Sequence, residues 1–241
     1  MALTPIGVTL TEGGATISTT YSTAPVLPTA KRYLLVAIST IRTQFANPSI
    51  PTISGCNQTF VQLGTEVRST RYRLTLFGCT VNNPSTDTID FDWGTQEQSL
   101  IEVHVWEIDP QDSNYTARLV QSNSVNQGLD TAVTVTLAAF EDGTNGVSTG
   151  VALVPNGDSN DLEPGTSFTT MYATWDFYNN RNLEMTSEWR LGDFDTTWIL
   201  TSAASVAVGA EITWDNTGTG GSAGLTQSIL THSKLTHGRL I

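Results

Sequence analysis

The sequence predicts an all-β protein, an antiparallel β-sandwich, and three observations lead to this prediction. Apolar and polar residues alternate along several short runs, as they do in half-buried strands. Clusters of Asn, Asp, Gly, Pro and Ser separate these runs. No stretch of ten or more residues spaces its apolar residues as an amphipathic helix does. Hydrophobic residues make up 39% of the chain and charged residues 14%, which is typical of a globular protein.

Five runs show the strand pattern most clearly. Four of them alternate: TRYRLTLFG (70–78), TIDFDW (88–93), TAVTVTL (131–137) and SVAVGAEITW (205–214). The fifth, KRYLLVAISTI (31–41), is apolar on both faces. Since a strand covered on both sides has no polar face, we expect this run to be a central strand.

Turn residues between these runs predict roughly a dozen strands, joined as in an antiparallel jelly-roll β-sandwich. Examples are NNPSTD (82–87), DPQDSN (109–114) and DFYNNRN (176–182). No linker divides residues 1–214, so we predict one domain there. A Gly-rich linker (215–224) and a C-terminal extended arm (225–241) follow.

The net charge of −12 argues against nucleic acid as a partner, because phosphate binding depends on clustered Lys and Arg. The N-terminal residues predict no signal peptide, and no apolar run is long enough to span a membrane. Residues 29–73 hold six basic side chains against Glu66 alone, whereas residues 82–165 are acidic apart from Arg118. Solvated strand faces would explain this asymmetry, and so would head-to-tail attraction between neighbouring copies.

The most enzyme-like stretch is LIEVHVWEID (100–109). Glu102 and His104 lie on one strand face with Trp106, and a carboxylate beside an imidazole can share a proton or bind a metal. However, Ile101, Val103 and Val105 form a regular buried face that needs no function to explain it. We favour this structural interpretation and predict no enzyme activity, no catalytic residues and no cofactor.

Two further patterns suggest binding sites. Asp158, Asn160, Asp161 and Glu163 crowd into one loop and could supply calcium ligands, although a plain acidic turn explains them better. Trp175, Phe177 and Tyr178 could form a glycan-binding platform, or they could pack at a sandwich edge. Cys56 and Cys79 are the only cysteines, and we expect them in strands or at strand ends. We favour free thiols over a disulfide between them.

The C-terminal arm repeats leucine every five residues, at Leu225, Leu230, Leu235 and Leu240. This spacing matches neither a helix nor one face of a strand. His232 and His237 alone are too few to bind zinc. We therefore predict an arm that binds a neighbouring subunit through its leucines, the alternative being a frayed terminus with chance repetition.

Four segments in chain order resemble a jelly-roll domain of phage and prophage proteins. They are KRYLLVAIS (31–39), TISGCNQTFVQLG (52–64), RLTLFGCTVNNPSTDTIDFDW (73–93) and IEVHVWEID (101–109). The sequence departs from that pattern at Cys56, where the second Gly of a Gly-Gly turn is expected. It departs again at Glu107-Ile108-Asp109, where the family has Gly-Val-Asp.

The resemblance implies a concanavalin-like or jelly-roll sandwich displayed on virions, with no catalytic residues. From it we expect a capsid decoration or cement protein on the virion surface, assembled in the host cytoplasm. Its partners would be the major capsid protein and copies of itself in a homo-oligomer. The alternative is a tail-associated adhesin that binds a host surface glycan.

Overall fold

The computed structural model describes residues 3–13, 17–42, 46–139, 146–155, 161–178 and 181–216, with the backbone alone at 10–13, 178, 181 and 216. Within these residues the chain forms fourteen β-strands and no helix. The predicted all-β class is therefore confirmed. None of the described residues belongs to a helix that could cross a membrane.

Most strands have three to eleven residues, and two have twenty-one. They are β1 (Thr4–Gly13), β2 (Thr20–Ser22), β3 (Tyr33–Ile41), β4 (Thr52–Gly55), β5 (Val61–Arg68), β6 (Tyr72–Thr80), β7 (Ile89–Asp92), β8 (Leu100–Asp109), β9 (Tyr115–Val135), β10 (Val147–Pro155), β11 (Leu162–Pro164), β12 (Thr169–Tyr178), β13 (Arg181–Leu191) and β14 (Thr196–Asn216).

The strands pair into three antiparallel sheets. A five-stranded sheet has the order β1-β8-β3-β6-β5, and a three-stranded sheet has the order β2-β7-β4. The six-stranded sheet has the order β11-β14-β10-β13-β12, with β9 also paired to β14. Antiparallel pairing agrees with the predicted sandwich. Because a jelly roll has two four-stranded sheets, its connectivity is not confirmed by these strand orders.

The five-stranded sheet is the middle layer of the molecule. One face packs on the six-stranded sheet around Leu35, Leu74, Trp106, Val151 and Val208. The other face packs on the three-stranded sheet, where its apolar residues meet Ile89, Phe91 and Trp93. All nine residues of β3 are buried, so the central strand predicted from KRYLLVAISTI is confirmed.

The outer face of the six-stranded sheet is covered by a layer that we call the overhang, residues 132–135, 162–164 and 196–200. Its strands continue β9 and β14 beyond a register irregularity between Ile199 and Ala203. Val133, Val135 and Trp198 of the overhang pack on Ala152, Val154 and Ala207 of the sheet. The apolar side of TAVTVTL is therefore buried, as its alternation predicts.

Side chains of β13 attach the overhang to the sheet by hydrogen bonds. Glu188 accepts N–H bonds from Gly165 and Thr197 at 3.0 and 3.2 Å, and Glu184 accepts one from Asp161 at 3.1 Å. Burial raises the pKa of Glu188 to about 8, although the two backbone donors oppose the shift. These carboxylates satisfy backbone donors near the edge strand β11, which would otherwise be buried without a partner.

Two paired glycines let the overhang approach closely. Gly150 of β10 lies opposite Gly209 of β14. A Cβ atom on Gly150 would lie 2.6 Å from the Val208 carbonyl oxygen and 2.9 Å from the Trp198 ring. Glycine at this position therefore creates the space that the Trp198 ring occupies.

We predict that Gly150→Ala lowers the free energy of unfolding by about 1–3 kcal/mol, because an extra methyl group in a filled core forces its neighbours to move. Urea unfolding followed by tryptophan fluorescence measures the change. Gly128→Ala is the matched control, since a Cβ there would meet no atom within 4 Å. Equal stability of the two variants would contradict the prediction.

Candidate functional site

The Glu102–His104 pair lies in the core between the two large sheets. The His104 side chain is fully buried, as is Glu102. Thr174 of β12 hydrogen-bonds to Glu102 Oε2 at 2.7 Å and to His104 Nε2 at 3.0 Å, and Ser187 Oγ lies 3.1 Å from His104 Nδ1. These bonds join β8 of the middle sheet to β12 and β13 of the six-stranded sheet.

The hydrogen bonds assign the proton on His104. The Thr174 hydroxyl donates to the Glu102 carboxylate, so its oxygen accepts from Nε2–H of His104. Nδ1 then accepts from the Ser187 hydroxyl. Burial lowers the pKa of His104 to about 3, which keeps the ring neutral. A neutral, enclosed imidazole cannot reach a substrate, so this geometry agrees with the structural interpretation of LIEVHVWEID.

The two acids that end the same strand form ion pairs. Glu107 Oε2 lies 2.9 Å from Arg32 Nη1, and Asp109 Oδ2 lies 2.6 Å from Arg32 Nη2. The backbone N–H of Thr29 also donates to Glu107, at 2.7 Å. These contacts hold the start of β3 against the end of β8.

The predicted calcium loop is only partly described. Asp158 and Asn160 lie outside the described residues. The Asp161 carboxylate accepts a hydrogen bond from the Thr201 hydroxyl, and Glu163 is exposed on β11. No group of three or more His, Cys, Asp or Glu side chains within the described residues is arranged to hold a metal ion. Calcium binding by this loop stays a prediction.

The predicted glycan platform lies on the edge strand β12. Trp175 and Phe177 are 41% and 49% exposed, and both face away from the core between the sheets. Tyr178 pairs through its backbone with Arg181. The structure thus brings two aromatic rings to one accessible strand face, next to Asn182 and Glu184 on the neighbouring strand.

Both large sheets end on the same side of the sandwich, which we call the open side. There β1 and β12 are edge strands that pair only with β8 and β13 within the described residues. Gly7 of β1 lies beside the Tyr172 side chain of β12, so the two edges are adjacent. On the opposite side, Ser122 and Asn126 of β9 donate to the carbonyls of Leu63 and Val67 of β5. The edge strands β5 and β9 on that side are therefore linked to each other by side-chain hydrogen bonds.

A cleft that the sequence did not reveal lies at one end of the outer face of the six-stranded sheet. It has a volume of about 530 Å³. Its lining includes Thr166, Phe168, Arg190, Phe194 and Asp195. The guanidinium carbon of Arg190 lies 3.5 Å from the centroid of the Phe194 ring. With Leu137, the lining comes from three separate segments, so no local pattern could have identified the cleft.

The predicted cysteines are buried, and the predicted leucines of the C-terminal arm lie outside the described residues. Cys56 and Cys79 are free and buried, and Cys79 lies in β6. Burial raises the pKa of Cys56 to about 11 and that of Cys79 to about 12, so both remain protonated. Leu225, Leu230, Leu235 and Leu240 lie outside the described residues.

Comparison with known proteins found no matching family model, no similar curated protein and no similar solved structure. The resemblance to phage jelly-roll domains therefore stays a prediction from the sequence segments that suggest it.

We predict that His104 makes the fold sensitive to acid. The unfolded chain takes up a proton on His104 near pH 6.5, whereas the folded chain does so only near pH 3. The contribution of neutral His104 to the free energy of unfolding is therefore fully present above pH 6.5. It falls by roughly 1.4 kcal/mol per pH unit between pH 6.5 and pH 3. Urea unfolding of the protein and of His104→Gln at several pH values measures the difference in slope. Parallel slopes would refute the assignment.

Proposed function

We propose that this protein is a structural subunit of a bacteriophage virion, a capsid decoration or cement protein on the outer surface of the head. It binds the major capsid protein and neighbouring copies of itself. The observation that carries the proposal is the open side, where β1 and β12 present adjacent unpaired edges. Unpaired edges accept a strand from another chain, and a subunit built for assembly needs such a surface.

Exposed apolar side chains near these edges support the same proposal. Trp175 and Phe177 remain half exposed on β12. Aromatic residues are enriched at protein interfaces, because burying them on association contributes much of the binding energy. A partner strand added along β12 would bring its own side chains beside these two rings.

Charge supports an exterior position and contact between copies. The net charge of −12 would repel packaged DNA. Arg42, Arg68 and Arg73 gather at one end of the five-stranded sheet, where they donate to the Glu97 carbonyl, the Asn126 amide and the Pro48 carbonyl. This end holds these three guanidinium groups against the Glu66 carboxylate, whose charge acts on Arg73, so it can attract the acidic surface of a neighbouring copy.

We predict that Trp175→Lys combined with Phe177→Lys weakens binding to isolated phage heads at least tenfold, because charged side chains on an edge strand oppose strand addition. Co-sedimentation of the purified protein with heads that lack it measures saturable binding and copy number. Leu129→Lys is the matched control, since Leu129 is 78% exposed on β9, away from the open side. Unchanged binding by the double variant would show that the open side is not part of the interface with the head.

The same assay tests the C-terminal arm. We expect removal of residues 225–241 to weaken head binding, since a tethered arm raises the effective concentration of a second contact. Full binding without the arm would leave decoration in place and make the leucine repeat a chance feature. Hundreds of copies per virion fit decoration, whereas a few copies fit a tail protein.

A second candidate function, a tail- or fibre-associated adhesin that binds a host glycan, is favoured by the pairing of Trp175 and Phe177 on one exposed face. Apolar faces of sugar rings stack on such side chains. We predict that a recognised oligosaccharide protects Trp175 from fluorescence quenching by acrylamide. Trp175→Phe should abolish the protected fraction, and quenching that is identical with and without sugars would argue against this function.

A further inference from the structure

The cleft beside Arg190 has the volume of a ligand site. Its volume of about 530 Å³ lies within the range of about 300–1,000 Å³ typical of small-molecule pockets. It lies beyond the overhang, on the outer face of the six-stranded sheet. Ser148 fixes its rim, because the Ser148 hydroxyl donates to the Gly192 carbonyl and accepts from the N–H of Phe194, at 2.9 and 2.8 Å.

Arg190 supplies preorganised hydrogen-bond donors to this cleft. Its guanidinium carbon lies 3.5 Å from the Phe194 ring centroid and 5.9 Å from that of Phe168. The guanidinium forms no hydrogen bond or ion pair with any described residue. Stacking between aromatic rings restricts its orientation while leaving its N–H groups available, so less rotational freedom is lost when a ligand binds.

Asp195 and Thr166 supply the acceptors. Asp195 Oδ1 accepts the backbone N–H of Leu137 at 2.8 Å, which holds the carboxylate in place. Its second oxygen makes no hydrogen bond within the described part of the chain, and the Thr166 hydroxyl makes none there either. The cleft therefore combines fixed donors, a fixed acceptor and two aromatic rings.

The local charge selects against an anionic ligand. Glu211 is fully buried, and the Asp193 and Asp195 carboxylates are close enough to act on its charge. Burial, followed by contributions that include the Asp193 and Asp195 carboxylates, raises the pKa of Glu211 to about 8. A negative ligand would enter a region where carboxylates already repel one another. A hydroxyl group accepts from Arg190 and donates to Asp195 without adding charge.

We propose that this cleft binds one sugar unit of a neutral saccharide. Arg190 and Asp195 bind adjacent hydroxyl groups, and Phe168 and the exposed part of Phe194 pack on the apolar face of the ring. Vicinal hydroxyls are the ligand groups that satisfy a donor and an acceptor together. This site is separate from the open side, so sugar binding here does not depend on assembly through β1 and β12.

The test is an NMR titration of the full-length ¹⁵N-labelled protein with methyl glycosides of glucose, galactose, mannose and N-acetylglucosamine. The methyl glycoside of glucuronic acid provides the anionic comparison. We expect at least one neutral glycoside to shift the amide resonances of Leu137 and Phe194 and the Arg190 side-chain N–H saturably. Arg190→Lys, which keeps the charge but loses the planar donor fork, should weaken this binding about tenfold. Phe168→Ala should weaken it to a similar extent.

Leu129→Ala is the matched control, since it removes an exposed apolar side chain of β9 outside the cleft. It should leave the affinity within about twofold of the unaltered protein, and thermal unfolding checks that each variant is folded. Three outcomes would overturn the proposal: no saturable shift with any neutral glycoside, tighter binding of the glucuronide, or equal affinity in Arg190→Lys. Binding lost only in Trp175→Ala would place the sugar on β12 and overturn it as well.

Discussion

The burial of both faces of the five-stranded sheet is the constraint on which the rest of the structure depends. Strands β3 and β8 have no solvent-exposed face along most of their length, so their charged and imidazole side chains can bond only to groups inside the protein. His104 finds Thr174 and Ser187 on the six-stranded sheet, and Glu107 finds Arg32. The residues that look most like an active site in the sequence are therefore the ones that fasten the layers together.

The outer face of the six-stranded sheet is also covered by another layer, but only over part of its area. The overhang covers the middle of that face, where Gly150 leaves space for Trp198 and Glu188 accepts backbone hydrogen bonds. Both ends of the face stay accessible. One end carries Trp175 and Phe177, and the other opens into the cleft beside Arg190. The extent of the overhang thus determines where this sheet can meet a partner or a ligand.

The proposed functions rest on accessible binding surfaces and not on the enclosed titratable groups of the described structure. In the described part of the chain, the imidazole and both thiols are enclosed, and burial shifts their pKa values away from neutral pH in the unreactive direction. The accessible features include unpaired strand edges, exposed aromatic rings and the cleft beside Arg190. Such features suit a subunit that joins a larger assembly and offers a separate site to a small neutral ligand.

The sequence by itself determined the all-β class, the strands and their buried faces, because alternation with a period of two is a local property of the chain. KRYLLVAISTI predicted a central strand because it is apolar on both faces, which is also a local property. Tertiary structure alone decided that the polar face of LIEVHVWEID is also buried, since the covering residues Thr174 and Ser187 lie 70 and 83 positions away from His104 in the sequence. It also assembled the cleft from Thr166, Arg190 and Asp195. Such sites arise where packing brings distant strands into register. The spacing of residues within one segment does not predict that register.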